Sequence, residues 1–398
     1  MKYSRRHKSL IIFVLSSLFM LLVFDLFNEV GKQGDLSNRV VPRACRVIIL
    51  LISGAFVFTT RKVRQTKFNK RITIIYLMIF VYLILAKNLG LDTIILLSKL
   101  LYLFFSYLFF YKFYLFFKNN QTERYLNIFV TFSIIALSCH IIGSRLNLIE
   151  GISTVKTYGY NNGYILLSFL PLVYLKPNEK LKKILIFFLT LGVFLSLKRG
   201  AMVGLAACLL GDYFYGIRHN KNNVFDKIKN FFAVAASLIF LTLVYSRFSN
   251  IFIERFSDFF GDSESFGSGR GNIYLLILND WYESNDVLVY LFGGGYDSVK
   301  ELTFNIFGNG LMAHSDLFNF IHSYGLLGLL FLAMFVLQQL KLSLRLYVLN
   351  HDLAKPYMML FIIFLFKAIY SGNFESPNFI YLLIGFAFVN ASIAVKKK

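Results

Sequence analysis

The sequence predicts an all-α, polytopic integral membrane protein with about twelve transmembrane helices and one long external loop. Hydrophobic residues make up 57% of the 398 residues, and charged residues make up only 16%, whereas soluble domains carry about 25% charged residues. The apolar residues are also gathered into runs long enough to cross a hydrocarbon core of about 30 Å. This composition excludes a soluble enzyme, a disordered chain and a disulfide-stabilised scaffold.

Twelve apolar runs alternate with polar segments along the chain. They lie near residues 9–27, 44–60, 72–86, 93–111, 125–143, 162–175, 184–197, 201–217, 231–246, 317–338, 356–371 and 379–394. The first run follows a basic N-terminus, as in a signal peptide. No small-residue cleavage site follows it, so we expect an uncleaved first span.

Lysines and arginines are divided unevenly between the two sides of the predicted membrane. With a cytoplasmic N-terminus, 27 of the 42 fall on cytoplasmic ends and connections and 13 fall outside, while Lys99 and Lys367 lie within apolar runs. The positive-inside rule therefore predicts that both termini are cytoplasmic. The net charge of +21 then describes orientation in a lipid bilayer, and we expect no nucleic-acid partner.

Residues 247–312 form an external segment that differs from the other connections. The segment contains nine acidic residues and has a net charge of −5. Its stretch 273–292 is partly amphipathic and contains the only tryptophan, Trp281, which is typical of a helix lying against the outer leaflet. Such long segments are usually functional or disordered, and this one is too rich in Phe, Ile and Leu for disorder. We therefore expect the chemistry here, within a single domain spanning residues 1–398.

Two arginines on the predicted external side are candidates for binding an anion. Lys198 and Arg199 stand between two apolar runs with almost no loop, and Gly200 permits close packing behind them. Arg270 lies between glycines just before a predicted helix. A guanidinium beside a helix N-terminus suits a phosphate or diphosphate. The alternatives are interfacial anchors for the first pair and a flexible loop for Arg270.

His314 precedes an apolar helix on the same predicted side. The macrodipole at a helix N-terminus disfavours a charged imidazole, and a neutral histidine is what a general base requires. We expect Asp316 either to cap the helix or to orient the imidazole. The alternative is a satisfied interfacial histidine, which is our interpretation of His322 and His140.

Two further features of the external segment have weaker signals. Gly293, Gly294 and Gly295 precede Tyr296, and we interpret them as a tight turn or a floor near a ligand. Asp262 and Glu264 form an acidic triplet with Ser263 that suits a divalent ion, but solvated loop acids explain the triplet better. We therefore predict neither a metal nor another cofactor.

These elements resemble the O-antigen ligase/polymerase superfamily in their order along the chain, in their spacing and in the side of the membrane on which they lie. The resemblance covers roughly residues 190–340 and rests on Arg199-Gly200-Ala201 at an external helix junction, Arg270 with Trp281, the glycines before Tyr296, and Ala313-His314 before a helix containing Gly325 and Gly328.

The resemblance implies a glycosyltransferase of the bacterial inner membrane with a fold similar to the GT-C class and an active site on the external face. Arg199 and Arg270, with Lys198, would bind the diphosphate of an undecaprenyl-diphosphate-linked oligosaccharide. His314 would be the catalytic base, supported by Asp316, Tyr296 and Trp281. A chain-length regulator is a candidate partner.

The leading prediction is a polysaccharide polymerase that moves a growing glycan onto the terminal sugar of a lipid-linked repeat unit. One alternative is a ligase that transfers the glycan to lipid A core or another acceptor. Ligases of the family often carry Asn after the histidine, whereas Ser315 stands here, so the polymerase is favoured. A flippase or transporter also fits twelve spans, but it predicts inverted repeats and broken helices, which the sequence does not clearly contain.

Overall fold

The computed structural model describes most of the chain, with gaps in several connections. The described residues are 5–30, 37–60, 66–86, 91–117, 120–149, 162–176, 178–219, 270–311, 313–349, 351–374 and 376–396. Within these ranges the chain forms helices and no strands. The predicted all-α class is therefore confirmed for the described residues.

The first eight described helices cover the N-terminal half. They are α1 (Arg5–Val30), α2 (Ser37–Thr59), α3 (Lys67–Ala86), α4 (Leu91–Phe117), α5 (Asn120–Ile149), α6 (Asn162–Tyr174), α7 (Glu179–Leu195) and α8 (Arg199–His219). The remaining described helices are α9 (Arg270–Tyr282), α10 (Val287–Phe292), α11 (Ser298–Phe307), α12 (Asp316–Val348), α13 (Ala354–Tyr370) and α14 (Phe379–Lys396).

Several of these helices suit a bilayer. Five are long and apolar enough to cross a membrane, through the segments Pro42–Thr59, Lys67–Leu85, Thr93–Phe117, Thr122–Arg145 and Asp316–Val348. A helix satisfies its own backbone hydrogen bonds, which lipid cannot do. These helices are thus consistent with a membrane protein. The count of twelve spans stays a prediction, and run 231–246 lies outside the described residues.

Aromatic side chains fill the interface between α3, α12, α13 and α14. The ring of Phe68 lies 5.3 Å from that of Phe335 and 5.0 Å from that of Phe386. Phe364 packs 5.2 Å from Phe335. All four rings are buried, and burying a side chain of this size contributes roughly 1.5–3 kcal/mol where water is the alternative. These rings join the C-terminal helices to α3.

A break at Gly325 divides α12 into a short segment, 316–324, and a long segment, 326–348. Gly325 has φ 60° and ψ −159°, which is not helical. The long segment runs antiparallel to α3, because Phe335 contacts Phe68 near the start of α3 and Tyr324 contacts Tyr82 near its end. The break therefore falls level with the C-terminal end of α3.

The short segment of α12 lies across one end of the helix bundle. At its start, the Ser315 hydroxyl donates to the Ala368 carbonyl of α13. Phe320 then packs 5.4 Å from Phe374, and Tyr324 reaches Tyr82 of α3. We call this end of the bundle, where α3 and α13 terminate, the outer end, after the side that the charge pattern predicts.

A separate layer of helices covers the outer end. The outer layer comprises α9, α10, α11 and the short segment of α12, and its apolar cluster contains Ile277, Trp281, Val299, Ala313 and Ile321. The sequence predicts one amphipathic helix over 273–292, whereas the structure has two. Asp286 causes the break by capping α10, since its carboxylate accepts from the Leu288 N–H at 2.8 Å.

Candidate functional site

Arg199 is the first residue of α8, and the junction before it is tightly packed. Leu197 adopts φ 55° and is buried, so the chain turns sharply between α7 and α8. Gly163, at the start of α6, lies against this turn, and a methyl group there would overlap the Ser196 hydroxyl. The junction is therefore fixed against the N-terminal end of α6.

Gly200 brings the start of α8 to the outer end. A methyl group on Gly200 would overlap the Tyr164 hydroxyl and would lie 2.9 Å from the Tyr370 Cβ. Tyr370 ends α13, so the backbone beside Arg199 touches the same end of α13 as Ser315 does. The Arg199 side chain is half-buried. Lys198 is also half-buried, with Nζ 5.9 Å above the Tyr164 ring, within the range of a cation–π contact.

Arg145 of α5 holds the other side of this junction. Its Nε donates to the Leu195 carbonyl at 2.8 Å and its Nη2 donates to the Ser196 carbonyl at 3.4 Å. The side chain is buried. Arg145 thus binds carbonyl groups at the end of α7 that have no partner within that helix. No local sequence pattern indicates this role, because the two partners lie about fifty residues further along the chain.

His314 lies on the surface just before α12. The residue is exposed and adopts φ 52°, a conformation that non-glycine residues enter uncommonly. Ala313 and Ser315 on either side are buried. The backbone around His314 is therefore anchored on both sides while the imidazole faces outward.

Asp316 fixes the start of α12 to the chain after α13. Each of its carboxylate oxygens lies 2.8 Å from the Asn373 N–H, which donates to them. Asp316 is buried and occupies the first turn of α12, where a negative charge is favoured by the macrodipole. These two bonds of Asp316 thus anchor the loop that bears His314.

Arg270 begins α9, and its side chain lies outside the described part of the structure. Two contacts set the register of α9 against α12. Tyr274 of α9 stacks on Phe318 of α12, with centroids 4.1 Å apart and planes at 8°. Asp280, six residues after Tyr274, contacts His322, which is four residues after Phe318. The two helices therefore run in the same direction. Arg270, one turn before Tyr274, lies level with His314, one turn before Phe318.

Three helix N-termini thus lie at the outer end. Those of α8 and α12 both lie against the end of α13, and those of α9 and α12 lie level with each other. N-terminal N–H groups carry partial positive charge and bind anions. Arg199, Arg270 and His314 each stand at one of these N-termini, so the structure places the predicted residues at the same end of the bundle.

The glycine turn predicted at residues 293–295 docks into the break in α12. The Gly294 N–H donates to the His322 carbonyl at 2.8 Å, and the Gly295 N–H donates to the Ser323 carbonyl at 3.1 Å. Gly293 faces Gly325, and a methyl group on either glycine would lie 2.6 Å from the backbone nitrogen of the other. The glycines are needed for this close approach of two backbones.

Tyr296 and Trp281 are packed inside the protein. Both residues are buried, and the Trp281 ring stacks on Tyr290 with centroids 4.2 Å apart. The aromatic neighbour Tyr282 is 77% exposed. Tyr282 is therefore the most exposed of these aromatic residues of the outer layer.

His322 joins two other side chains of the outer layer. Its Nε2 lies 2.8 Å from Asp280 Oδ2 of α9, and its Nδ1 lies 2.8 Å from Ser298 Oγ of α11. From the sequence alone, His322 is expected only to be a satisfied histidine. Its partners lie 42 and 24 residues away, so no local pattern could have identified them.

A cavity of about 820 Å³ lies at the opposite end of α6 from Gly163, lined in part by Arg124, Lys176 and Phe388. The Lys176 Nζ donates to the Asn127 carbonyl at 3.0 Å and to Thr131 Oγ1 at 2.7 Å. Burial lowers the pKa of Lys176 to about 8. None of the predicted site residues lines this cavity.

Among the residues that the structure describes, no group of three or more His, Cys, Asp or Glu side chains could hold a metal ion, and Asp262 and Glu264 lie outside those residues. No protein-family model matches the sequence, and comparison with curated proteins gives no match. The resemblance to the O-antigen ligase/polymerase superfamily therefore stays a prediction.

Proposed function

We propose that the protein is a polysaccharide polymerase that transfers a growing glycan from polyprenyl diphosphate to the terminal sugar of a lipid-linked repeat unit. One observation carries the proposal: the N-termini of α8, α9 and α12, which bear Arg199, Arg270 and His314, all lie at the outer end of the bundle. This arrangement combines fixed positive charge with a basic side chain open to the surface.

The reaction needs both features. The acceptor hydroxyl attacks the anomeric carbon of the donor, and the carbon–oxygen bond to the diphosphate breaks. The leaving group takes up negative charge, which Arg199, Arg270 and Lys198 stabilise together with the helix N-termini. His314 accepts the proton of the attacking hydroxyl. No metal is required for this charge balance.

The site's rigidity supports a role in positioning the two substrates. Asp316 and Ser315 bind the chain around His314 to α13, while Gly200 and Arg145 fix the chain around Arg199. Groups held in this way lose little entropy when the substrate binds. The exposed surface of His314 lets an acceptor sugar approach from outside.

The test is transfer by the purified protein in lipid nanodiscs supplied with synthetic lipid-linked repeat units. Arg199→Ala and Arg270→Ala are each expected to lower kcat by about 10²–10³-fold, and His314→Ala by about 10²–10⁴-fold. Arg199→Lys keeps the charge but loses the bidentate fork, so its activity should be intermediate.

Lys300→Ala is the matched control on the same side of the protein. Lys300 Nζ pairs with Asp297 Oδ1 at 2.6 Å, so its removal changes an outer-layer cation without touching the three N-termini. The control should retain wild-type kcat. Long polymer from all three site variants contradicts the mechanism. Transfer to a macromolecular acceptor without lengthening of lipid-linked glycan contradicts the polymerase assignment and favours a ligase.

A further inference from the structure

A chain of hydrogen bonds connects three helices of the outer layer. Asp280 of α9, His322 of α12 and Ser298 of α11 are joined by two contacts of 2.8 Å. A carboxylate can only accept, so the imidazole carries a proton on Nε2 and donates it to Asp280. In the neutral imidazole, Nδ1 then accepts from the Ser298 hydroxyl.

This chain of hydrogen bonds has one end that is accessible and one end that is buried. The Asp280 side chain is 48% exposed, whereas that of His322 is 7% exposed. Ser298 is buried as well, and its Oγ lies 3.3 Å from Ser323 Oγ. A buried serine hydroxyl that already bonds to two side chains is poorly placed to attack a substrate. The geometry therefore favours a structural use of this Asp–His–Ser arrangement over nucleophilic catalysis.

The main chain of His322 is held as firmly as its side chain. Its carbonyl accepts from the Gly294 N–H at 2.8 Å, because the break at Gly325 leaves carbonyls of the preceding turn without helical partners. His322 is thus bound by α9, α11 and the glycine turn at once. The imidazole suits this position since its two nitrogens bond in different directions.

The hydrogen bonds of Asp280, His322 and Ser298 add directionality to the contacts between α9 and α12. The stack of Tyr274 on Phe318 and the cluster around Ile277 hold the two helices together, but apolar packing is not directional. A hydrogen bond weakens steeply with misalignment. The contact between Asp280 and His322 therefore acts with the Tyr274–Phe318 stack to define the axial position of α9 along α12.

We propose that Asp280, His322 and Ser298 form a positioning chain that sets the register of α9 against α12 and thereby places Arg270 level with His314. Arg270 precedes Asp280 by ten residues, or about 15 Å of helix, so the chain acts through the helix and not by touching the substrate. The register of α9 does not depend on the proposed function. Only the effect of this register on catalysis rests on it.

Hydrogen exchange tests the register independently of any glycan chemistry. In the full-length protein in nanodiscs, Asp280→Ala should raise the exchange of amides in α9 roughly tenfold or more, because a hydrogen bond to a charged group is lost. Asp280→Asn keeps an acceptor for Nε2–H and should restore slow exchange. Glu283→Ala removes an exposed acid one turn further on and should leave α9 unchanged.

The variants should also show that the three residues act as one unit. His322→Gln retains a donor toward Asp280, but its amide oxygen does not occupy the position of Nδ1 that faces Ser298, so its effect on exchange should be partial. The double variant Asp280→Ala/Ser298→Ala should exchange no more than threefold faster than the Asp280→Ala single variant, since coupled residues are not additive. Where Asp280→Ala does not fold, Ser298→Ala carries the same exchange test.

Steady-state kinetics test the consequence for catalysis. Asp280→Ala should lower kcat about tenfold with KM within twofold, as expected when only transition-state alignment is lost, and Asp280→Asn should restore kcat. Unchanged exchange in α9 overturns the positioning chain. Faster exchange with wild-type kcat overturns its link to catalysis and leaves the proposed function standing. A wild-type protein that transfers no sugar contradicts the proposed function, while exchange still decides the register.

Discussion

Replacing Gly293 with alanine tests whether the glycine turn is held by the break in α12. Gly293 has φ 79° and ψ 176°, a backbone region that is essentially restricted to glycine. A Cβ at this position would lie 2.5 Å from the Tyr324 nitrogen and 2.6 Å from the Gly325 nitrogen. Both are backbone atoms that cannot rotate away, so the turn must separate from α12.

The expected loss follows from the bonds that this separation breaks. The Gly294 N–H and the Gly295 N–H each donate to a carbonyl of α12, and a typical hydrogen bond contributes about 1 kcal/mol. Gly308→Ala is the matched control, because Gly308 also has a positive φ, of 69°, but no described atom lies within 4 Å of its added Cβ. Gly293→Ala should therefore lower the free energy of unfolding by about 2 kcal/mol more than Gly308→Ala does.

Trp281 makes this difference measurable. It is the only tryptophan and is buried against Tyr290 in the outer layer, so its fluorescence reports on that layer. Urea titrations of both variants in detergent micelles give the two free energies of unfolding. Equal losses for Gly293→Ala and Gly308→Ala, within about 0.5 kcal/mol, the usual scatter of surface substitutions, would refute the inferred docking of the turn.

Three other substitutions test separate parts of the structure. Gly200→Ala should displace the start of α8 and lower transfer activity, whereas Gly216→Ala, with no described atom within 4 Å of its Cβ, should be neutral or stabilising by up to about 1 kcal/mol; kinetics and thermal unfolding distinguish them. Asp316→Ala leaves a buried backbone N–H without its acceptor and should lower the unfolding free energy by about 1–3 kcal/mol, with Asp316→Asn losing less; no loss in thermal unfolding would count against the anchor. Lys176 has a pKa lowered by burial from 10.5 to about 8, so the unfolded state binds more protons between these values and stability should rise with pH across that window. Lys176→Met should abolish this rise in pH-dependent unfolding, and an unchanged slope would contradict the assignment.

The elements that local pattern specifies were predictable from the sequence. The start of α8 at Arg199 follows from the end of one apolar run and the start of the next, and polar residues before an apolar run mark the start of α12. Each signal lies within a few residues of the feature it predicts. The sequence therefore located the residues that stand at these N-termini.

Contacts between distant parts of the chain were not predictable in this way. The glycine turn was visible, but its partner Gly325 lies some thirty residues away and only the fold brings the two together. Asp280 and Ser298 carry no pattern that links them to His322. The prediction of a single amphipathic helix over residues 273–292 was wrong, because the Asp286 side chain caps a new helix. This local hydrogen bond competes with the continuation of α9.

The bonds of Arg145 change the electric field at the α7–α8 junction. Where one helix follows another, the partial negative end of the first faces the partial positive end of the second, and the two fields largely cancel. Arg145 places a full positive charge on the carbonyls of Leu195 and Ser196, against roughly half a negative charge at the end of α7. The charge of Arg145 therefore offsets the partial negative charge at the end of α7, next to Lys198 and Arg199.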